Sequence, residues 1–157
     1  MKLTQEQKQL LLKDLCGRLP YGVKCQIDYD NEEDTDLGIE RYCDDRIVSV
    51  CIETEEIGLY EASEYFYPND IKPYLRPMSS MTEEENAILN NISNKDRGYE
   101  EDEEGWIRCD SIHTKWGVWP DGCAKLLDYL NSIHVDYRGL IPMGLALEAP
   151  EGMYQNR

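Results

Sequence analysis

The sequence lacks the features by which several large classes of protein are recognised. It contains no run of about 18 apolar residues, so no membrane-spanning helix is predicted. Residues 1–9 hold no apolar segment of the kind found in a secretory signal peptide. None of the six cysteines forms a CxxC pair, and their spacing differs from that of disulfide scaffolds and zinc knuckles. We therefore expect a cytoplasmic protein whose cysteines are reduced.

Basic residues are scarce relative to acidic ones. The chain has 16 lysines and arginines against 32 aspartates and glutamates, which gives a net charge of −16. Affinity for nucleic acid depends largely on cationic side chains that neutralise phosphates. Direct binding to DNA or RNA is therefore not expected, and neither is attachment to an anionic membrane. The expected partner is a protein with a basic surface, and the oligomeric state is left open.

Motifs specific for catalysis are also missing. The sequence has no Gly-x-Ser-x-Gly motif, no phosphate-binding loop and no dinucleotide-binding fingerprint. Each histidine lies close to an aspartate, His113 to Asp110 and His134 to Asp136, and such a pair can act as a general base. A small hydrolase or metal-dependent enzyme that uses His113 or His134 is therefore the alternative function. We predict no cofactor, no metal ligands and no catalytic residue.

The patterns that are present indicate an α+β fold. Four leucines between residues 10 and 15 form the apolar stripe of a helix over residues 4–16. Alternating apolar residues predict short strands, and apolar residues at helical spacing predict later helices. The predicted strands span residues 21–29, 47–54, 57–60 and 65–67, and the later helices span 82–92 and 121–134.

These elements are predicted to form a single domain of residues 1–157. The N-terminal helix occupies residues 1–20, residues 21–78 are mainly strands, and residues 79–157 are mainly helix and acidic loop. The helix packs on a small antiparallel sheet, which could curl into a barrel. Two helices and an aromatic turn at residues 115–120 complete the core.

Residues 70–85 join the two halves of the chain. Pro73 and Pro77 fix φ and lack a backbone N–H, which predicts that neither a regular helix nor a central strand runs through them. Thr82 followed by Glu85 has the spacing of a capping box, so a helix is expected to begin near Thr82.

Acidic residues are concentrated in two segments. Residues 28–56 hold 12 acidic and two basic residues, and residues 83–104 hold nine acidic and two basic residues. The first segment fits no calcium-binding loop in the registers that begin at Asp28 and Asp34, because their sixth positions are Glu33 and Ile39 where a glycine is needed. We predict a partner-facing surface that could imitate the phosphates of nucleic acid; the alternative is that the charge only keeps the protein soluble. The candidate residues are Asp30, Glu32, Glu33, Asp34, Asp36, Glu101, Asp102, Glu103 and Glu104.

Three stretches resemble a known family. They are KLTQEQKQLLLKDLCGRLPYGVK at residues 2–24, IKPYLRPMSSMTEEE at 71–85 and LLDYLNSIHVDYRGLIPMGLALEAPEGMY at 126–154. Together they are similar to small acidic proteins encoded by phages and prophages of Bacteroides-type gut bacteria. The resemblance implies a phage or mobile-element origin and a bacterial host cytoplasm, and it transfers no activity and no functional residue. It favours a non-enzymatic accessory protein that binds another protein; a structural or assembly component of a phage particle is a second alternative.

Neutralising the acidic segments tests whether they serve binding or solubility. Exposed carboxylates contribute little to stability individually, and neighbouring like charges repel each other. A variant with Asn or Gln in their place should keep or raise the melting temperature and lose most of its affinity for a basic partner, as measured by thermal unfolding and titration calorimetry. Full-strength binding by the variant would show that these acids only solubilise. The positions are Asp30, Glu32, Glu33, Asp34, Glu101, Asp102, Glu103 and Glu104.

Overall fold

The computed structural model describes residues 2–27, 45–97, 99–101, 107–109 and 120–154. The chain forms two compact units, Met1–Met78 with Asn131–Arg157 and Ser79–Leu130. Helices occur together with a sheet, so the predicted α+β class is confirmed. No helix in the described ranges is long and apolar enough to cross a membrane. The single-domain organisation stays a prediction.

The described ranges contain three α-helices and eight strands. The helices are α1 Gln5–Arg18, α2 Glu83–Arg97 and α3 Pro120–Ser132. The strands are β1 Lys24–Ile27, β2 Asp45–Cys51, β3 Glu56–Leu59, β4 Tyr65–Phe66, β5 Ile71–Leu75, β6 Tyr99–Glu101, β7 Ile107–Cys109 and β8 Leu147–Glu148. Short 3-10 helices follow α1 at Leu19–Tyr21 and precede α2 at Met78–Ser80.

Six strands of the first unit form one mixed sheet in the order β4–β3–β2–β1–β5–β8. Neighbouring strands from β4 to β5 are antiparallel, whereas β8 joins β5 in parallel. The two edge strands, β4 and β8, are two residues long each and do not pair with each other. The predicted antiparallel pairing is therefore correct for β1 to β5. The suggested closure into a barrel is wrong, because such short edges form no ladder that would close the sheet.

One face of the sheet packs with α1 to form the core. Buried and partly buried residues alternate along β1 and β5, as expected for strands with one face in the core. The predicted leucine stripe of α1 joins this core. Fully buried members of the cluster include Leu11, Leu12, Leu15, Val23, Cys25, Ile57, Leu75 and Leu140.

Strand β5 corrects the prediction made for the proline-containing joint. It includes Pro73 and yet lies inside the sheet, between β1 and β8. Pro73 is tolerated because β8 pairs only with Tyr74 and Leu75, so no ladder hydrogen bond from residue 73 to β8 is needed. A proline therefore sits in an inner strand where the neighbouring strand is short.

The C-terminal segment of the first unit returns to the sheet after α3. The backbone N–H of Arg76 donates to the carbonyl oxygen of His134 at 2.8 Å, and the N–H of Asp136 donates to that of Arg76 at 2.7 Å. The two carboxylate oxygens of Asp136 accept from the backbone N–H groups of Leu140 and Ile141, at 2.8 Å each. These bonds shape the turn that brings Leu140 back into the core.

Tyr154 fastens the end of this segment to the sheet. Its hydroxyl oxygen accepts from the N–H of Lys24 at 3.1 Å and donates to the carbonyl oxygen of Tyr74 at 3.0 Å, so it bridges β1 and β5. Its ring stacks on the ring of His134, with centroids 3.9 Å apart. Burial raises the pKa of Tyr154 to about 12.

The second unit contains α2, the β6–β7 hairpin and most of α3. The predicted capping box is confirmed: the N–H of Glu85 donates to Oγ1 of Thr82 at 3.1 Å, and the N–H of Thr82 donates to Oε2 of Glu85 at 2.9 Å. The hydroxyl of Tyr129 in α3 donates to the carbonyl oxygen of Glu85 at 3.2 Å and so links the two helices. The predicted aromatic turn lies outside the described residues, apart from Pro120 at the start of α3.

Replacing Tyr154 with Phe should destabilise the protein by about 1–3 kcal/mol, because the N–H of Lys24 and the carbonyl of Tyr74 lose the hydroxyl that pairs with both. Urea unfolding at neutral pH measures this loss. The exposed Tyr67 provides the control, since its replacement with Phe should change the free energy of unfolding by less than about 0.5 kcal/mol.

The raised pKa of Tyr154 adds a pH dependence. Below the ordinary tyrosine pKa of 10, both states are protonated and the stabilising contribution is complete. As the pH rises from 10 towards about 12, the unfolded state ionises first and this contribution is lost. The free-energy gap between the wild type and the Tyr154→Phe variant should therefore narrow between about pH 7 and about pH 11. A free-energy difference that stays the same over this pH range would contradict the raised pKa of Tyr154.

Candidate interaction face

The acidic residues predicted to face a partner lie almost entirely outside the described ranges. Asp30, Glu32, Glu33, Asp34 and Asp36 belong to residues 28–44, and Asp102, Glu103 and Glu104 belong to residues 102–106. Glu101 is the last residue of β6. His113 of the alternative enzyme lies outside the described ranges as well.

His134, the other histidine of the alternative enzyme, is buried. It is 2% exposed, stacks on Tyr154, and has φ of 56° two residues after the last residue of α3. Its backbone N–H donates to the carbonyl oxygen of Asn131 at 3.1 Å, so it occupies the left-handed position that commonly ends a helix. Asp136, its predicted partner, uses both carboxylate oxygens to hold a turn. His134 is therefore placed as a packed helix-ending residue, away from solvent.

A buried ionic cluster lies beside this histidine and was not predicted. Asp14 and Arg18 of α1 are both 0% exposed, and Nε of Arg18 lies 2.6 Å from Oδ2 of Asp14. Arg138 adds a second guanidinium, whose Nε lies 3.2 Å from Oδ1 of Asp14. The ring of Tyr137 lies against both guanidinium groups, at 5.3 Å from Arg18 and 5.0 Å from Arg138. The cluster connects α1 to the C-terminal segment and serves the fold.

The outer face of the sheet, turned away from α1, presents a different set of residues. Antiparallel pairing places Gly58 of β3 opposite Ser49 of β2 and Tyr65 of β4. The neighbouring pair, Ile57 and Phe66, points into the core. Because side chains alternate along strands, Ser49 and Tyr65 point outwards across Gly58. A β-carbon on Gly58 would clash with Oγ of Ser49 and lie 3.6 Å from the ring of Tyr65, so the glycine leaves room for both side chains to lie over β3.

Three tyrosines share this outer side. Tyr60, Tyr65 and Tyr67 are 66%, 64% and 47% exposed. The guanidinium of Arg46 lies 4.6 Å from the ring centroid of Tyr60, so these two side chains are stacked on the same side of the sheet. We call Arg46, Tyr60, Tyr65 and Tyr67 the tyrosine face.

A β-bulge in β2 shapes one border of the tyrosine face. The pairing of β2 with β3 shifts between Ile47 and Ser49, so Val48 is the extra residue. The shift keeps both Ile47 and Val50 packed with the core while Val48 stays 46% exposed. An aliphatic side chain is thereby added to the surface near the tyrosines.

Asp45 holds the turn that carries Tyr60. The carboxylate is 4% exposed, and its Oδ2 accepts from the backbone N–H groups of Glu61 at 2.9 Å and Ala62 at 3.4 Å. The N–H of Tyr60 donates to the carbonyl oxygen of Arg46 at 2.9 Å. The position of Tyr60 is thus set by the first two residues of β2.

Glu55 fixes the hairpin between β2 and β3 to α1. It has φ of 58°, and its carboxylate accepts from Gln5 at 2.6 Å and from Lys8 at 2.8 Å. The hydrogen bond from Lys8, followed by that from Gln5, holds the pKa of Glu55 below its usual value. In the same hairpin, hydrogen bonds with Thr54 lower the pKa of the exposed Cys51 thiol.

The border of the tyrosine face is acidic. Residues 45–67 hold six acidic residues, of which Asp45 is buried and Glu55 pairs with Lys8 of α1, so four remain for this border. Two basic residues lie nearby: Arg46, which is stacked on Tyr60, and Lys24 of β1, which pairs opposite Arg46. Glu61 and Glu64 are exposed in the turn between β3 and β4, and Glu56 lies on β3 beside the tyrosines. Among the described residues, no group of three or more His, Cys, Asp or Glu side chains could hold a metal ion. The arrangement offers aromatic rings edged by carboxylates, which is suited to binding cations.

Sequence reasoning missed the tyrosine face. The alternating pattern predicts short strands that contain Tyr60, Tyr65 and Tyr67, but their common side depends on pairing between strands that a single sequence does not reveal. The signal that could have found them is the spacing of Tyr65 and Tyr67, two residues apart and separated by the core residue Phe66.

Replacing Asp45 with Ala should destabilise the protein by about 1–3 kcal/mol, because the N–H groups of Glu61 and Ala62 lose their acceptor. The Asp45→Asn variant keeps one acceptor oxygen and should therefore lose less stability than Asp45→Ala. Urea unfolding measures both values, and the amide signals of Glu61 and Ala62 in NMR spectra report the freed turn. Equal stability of the Ala variant and the wild type would contradict this role.

Comparison of the chain with protein-family models, with curated proteins and with solved structures found no match. The phage family of the sequence resemblance therefore stays a prediction. The chemistry of the tyrosine face is the remaining guide to what the chain binds.

Proposed function

We propose that the protein is a non-enzymatic accessory protein of phage type that acts in the bacterial host cytoplasm by binding a protein with a basic surface. The observation that carries this proposal is the tyrosine face with its acidic border. Exposed tyrosines gathered on one side of a sheet supply contact area, and the carboxylates around them select for positive charge.

The composition of the tyrosine face supports protein binding. Tyrosine and arginine are enriched at the energetic centres of protein interfaces. A tyrosine contributes a large rigid ring and gives up little rotamer freedom when it is bound. The stacking of Arg46 on Tyr60 already holds one ring in place before any partner arrives, which lowers the entropic cost of binding.

The distribution of charge supports a basic partner. The chain carries a net charge of −16, and residues 45–67 repeat that imbalance locally. Such a field accelerates encounters with cationic proteins and repels anionic ones. The acidic segments at 28–56 and 83–104 could in addition imitate the phosphates of nucleic acid. In that case the basic partner is a nucleic-acid-binding protein.

Charge-matched variants test this proposal. One triple variant removes three charges at the tyrosine face by replacing Glu56, Glu61 and Glu64 with Gln. A second triple variant removes three exposed charges from α2 and α3 through Glu83→Gln, Glu84→Gln and Asp128→Asn. Each variant would be immobilised and exposed to host lysate at about 50 mM and about 300 mM salt. Bound proteins would be identified by mass spectrometry and their isoelectric points compared.

The wild type should retain basic proteins, and this retention should fall steeply between the two salt concentrations. The variant at the tyrosine face should retain several-fold less of the same proteins, and the variant in the helices should behave like the wild type. Equal loss by both variants would mean that net charge alone is responsible. Adding duplex DNA as a competitor tests the imitation of nucleic acid: the retained protein should be released if it uses its DNA-binding surface.

A further inference from the structure

We infer that Tyr65 and Tyr67 bind arginine side chains in an extended segment of the basic partner. This inference rests on the proposed function and names the chemistry that the tyrosine face selects. It is carried by the exposure of the two rings, by a guanidinium contact already present on the same face, and by the spacing of the two residues.

The face already holds a guanidinium on one of its tyrosine rings, that of Tyr60. Arg46 stacks on Tyr60 with 4.6 Å between the guanidinium carbon and the ring centroid. A cation within about 6 Å of an aromatic centroid is attracted by the electrons of the ring, and arginine adds planar stacking that lysine lacks. Tyr65 and Tyr67 are 64% and 47% exposed, so solvent reaches much of both rings.

The electrostatics around the two rings favour a cation. The register that pairs Ile57 with Phe66 places Glu56 of β3 beside Tyr67. Thr54 Oγ1 donates to Oε2 of Glu56 at 2.8 Å, which orients this carboxylate. A guanidinium over Tyr67 would therefore have a carboxylate close by to pair with.

The spacing of the rings indicates an extended segment. Tyr65 lies in the edge strand β4 and Tyr67 directly follows that strand, two residues further on, and a strand rises about 3.3 Å per residue. An extended peptide that runs along β4 repeats its side chains with the same period. Arginines at alternate positions would thus meet the two tyrosines in register.

Defined peptides test the inference with the full-length protein. The probes are a fluorescent peptide of about 12 residues with alternating arginine and serine, and a twin with lysine in place of arginine. Fluorescence anisotropy measures both dissociation constants for the wild type and for the double variants Tyr65→Ser/Tyr67→Ser and Tyr65→Phe/Tyr67→Phe. Met143→Ser, at an exposed apolar residue in a C-terminal turn, serves as the control.

The wild type should bind the arginine peptide several-fold more tightly than the lysine peptide. The double serine variant should lose that preference and bind the arginine peptide roughly tenfold more weakly, whereas the double Phe variant, which keeps both rings, should bind like the wild type. The control should not change. An unchanged arginine preference in the double serine variant would overturn the inference.

Failure of the inference can be told apart from failure of the proposed function. The triple variant Glu56→Gln/Glu61→Gln/Glu64→Gln could weaken the binding of both peptides equally while the double serine variant has no effect. That result would support binding of a basic partner and would refute the contact between arginine and the two tyrosines. If neither peptide binds the wild type, both proposals fall. The same face could instead pair two copies of the chain. Sedimentation that shows a dimer which the double serine variant dissociates would overturn the arginine assignment.

Discussion

The first unit depends on a buried ion pair between two residues of one helix. Asp14 and Arg18 are fully buried, and Nη2 of Arg18 also donates to the carbonyl oxygen of Val135 at 2.9 Å. Loss of the Asp14 charge would leave the buried guanidinium of Arg18 without its carboxylate, a situation that costs about 3–5 kcal/mol in proteins. The pair therefore fixes where the C-terminal segment meets α1. Tyr154, at the end of that segment, in turn bridges β1 and β5.

This arrangement places the apolar side chains of the sheet on one face and exposed tyrosines on the other. The inner face is filled by α1 and the C-terminal segment, which together bury the apolar side chains of the strands. Folding therefore does not require burial of Tyr60, Tyr65 and Tyr67 on the outer face. The bulge at Val48 and the missing side chain of Gly58 then allow exposed groups to be grouped there without disturbing the core.

The acidic surroundings explain why exposed tyrosines would not be covered by association between copies of the chain. Exposed aromatic rings favour association, and a net charge of −16 opposes association between copies of the chain through mutual repulsion. A partner that brings positive charge removes this repulsion and covers the rings in the same step. The proposed preference for a basic protein therefore follows from the two properties acting together.

The sequence by itself determined those elements that depend on neighbouring residues along the chain. The leucine stripe of α1, the capping box at Thr82 and the α+β class depend on residues a few positions apart. The prediction that no inner strand contains Pro73 was wrong because its outcome is not decided locally. It depends on the length of β8, a strand contributed by residues far along the chain. Only the tertiary structure decided the ion pair between Asp14 and Arg138 and the shared side of the tyrosines. Those arrangements come from strand register, a bulge and burial, which bring together residues that no local pattern connects.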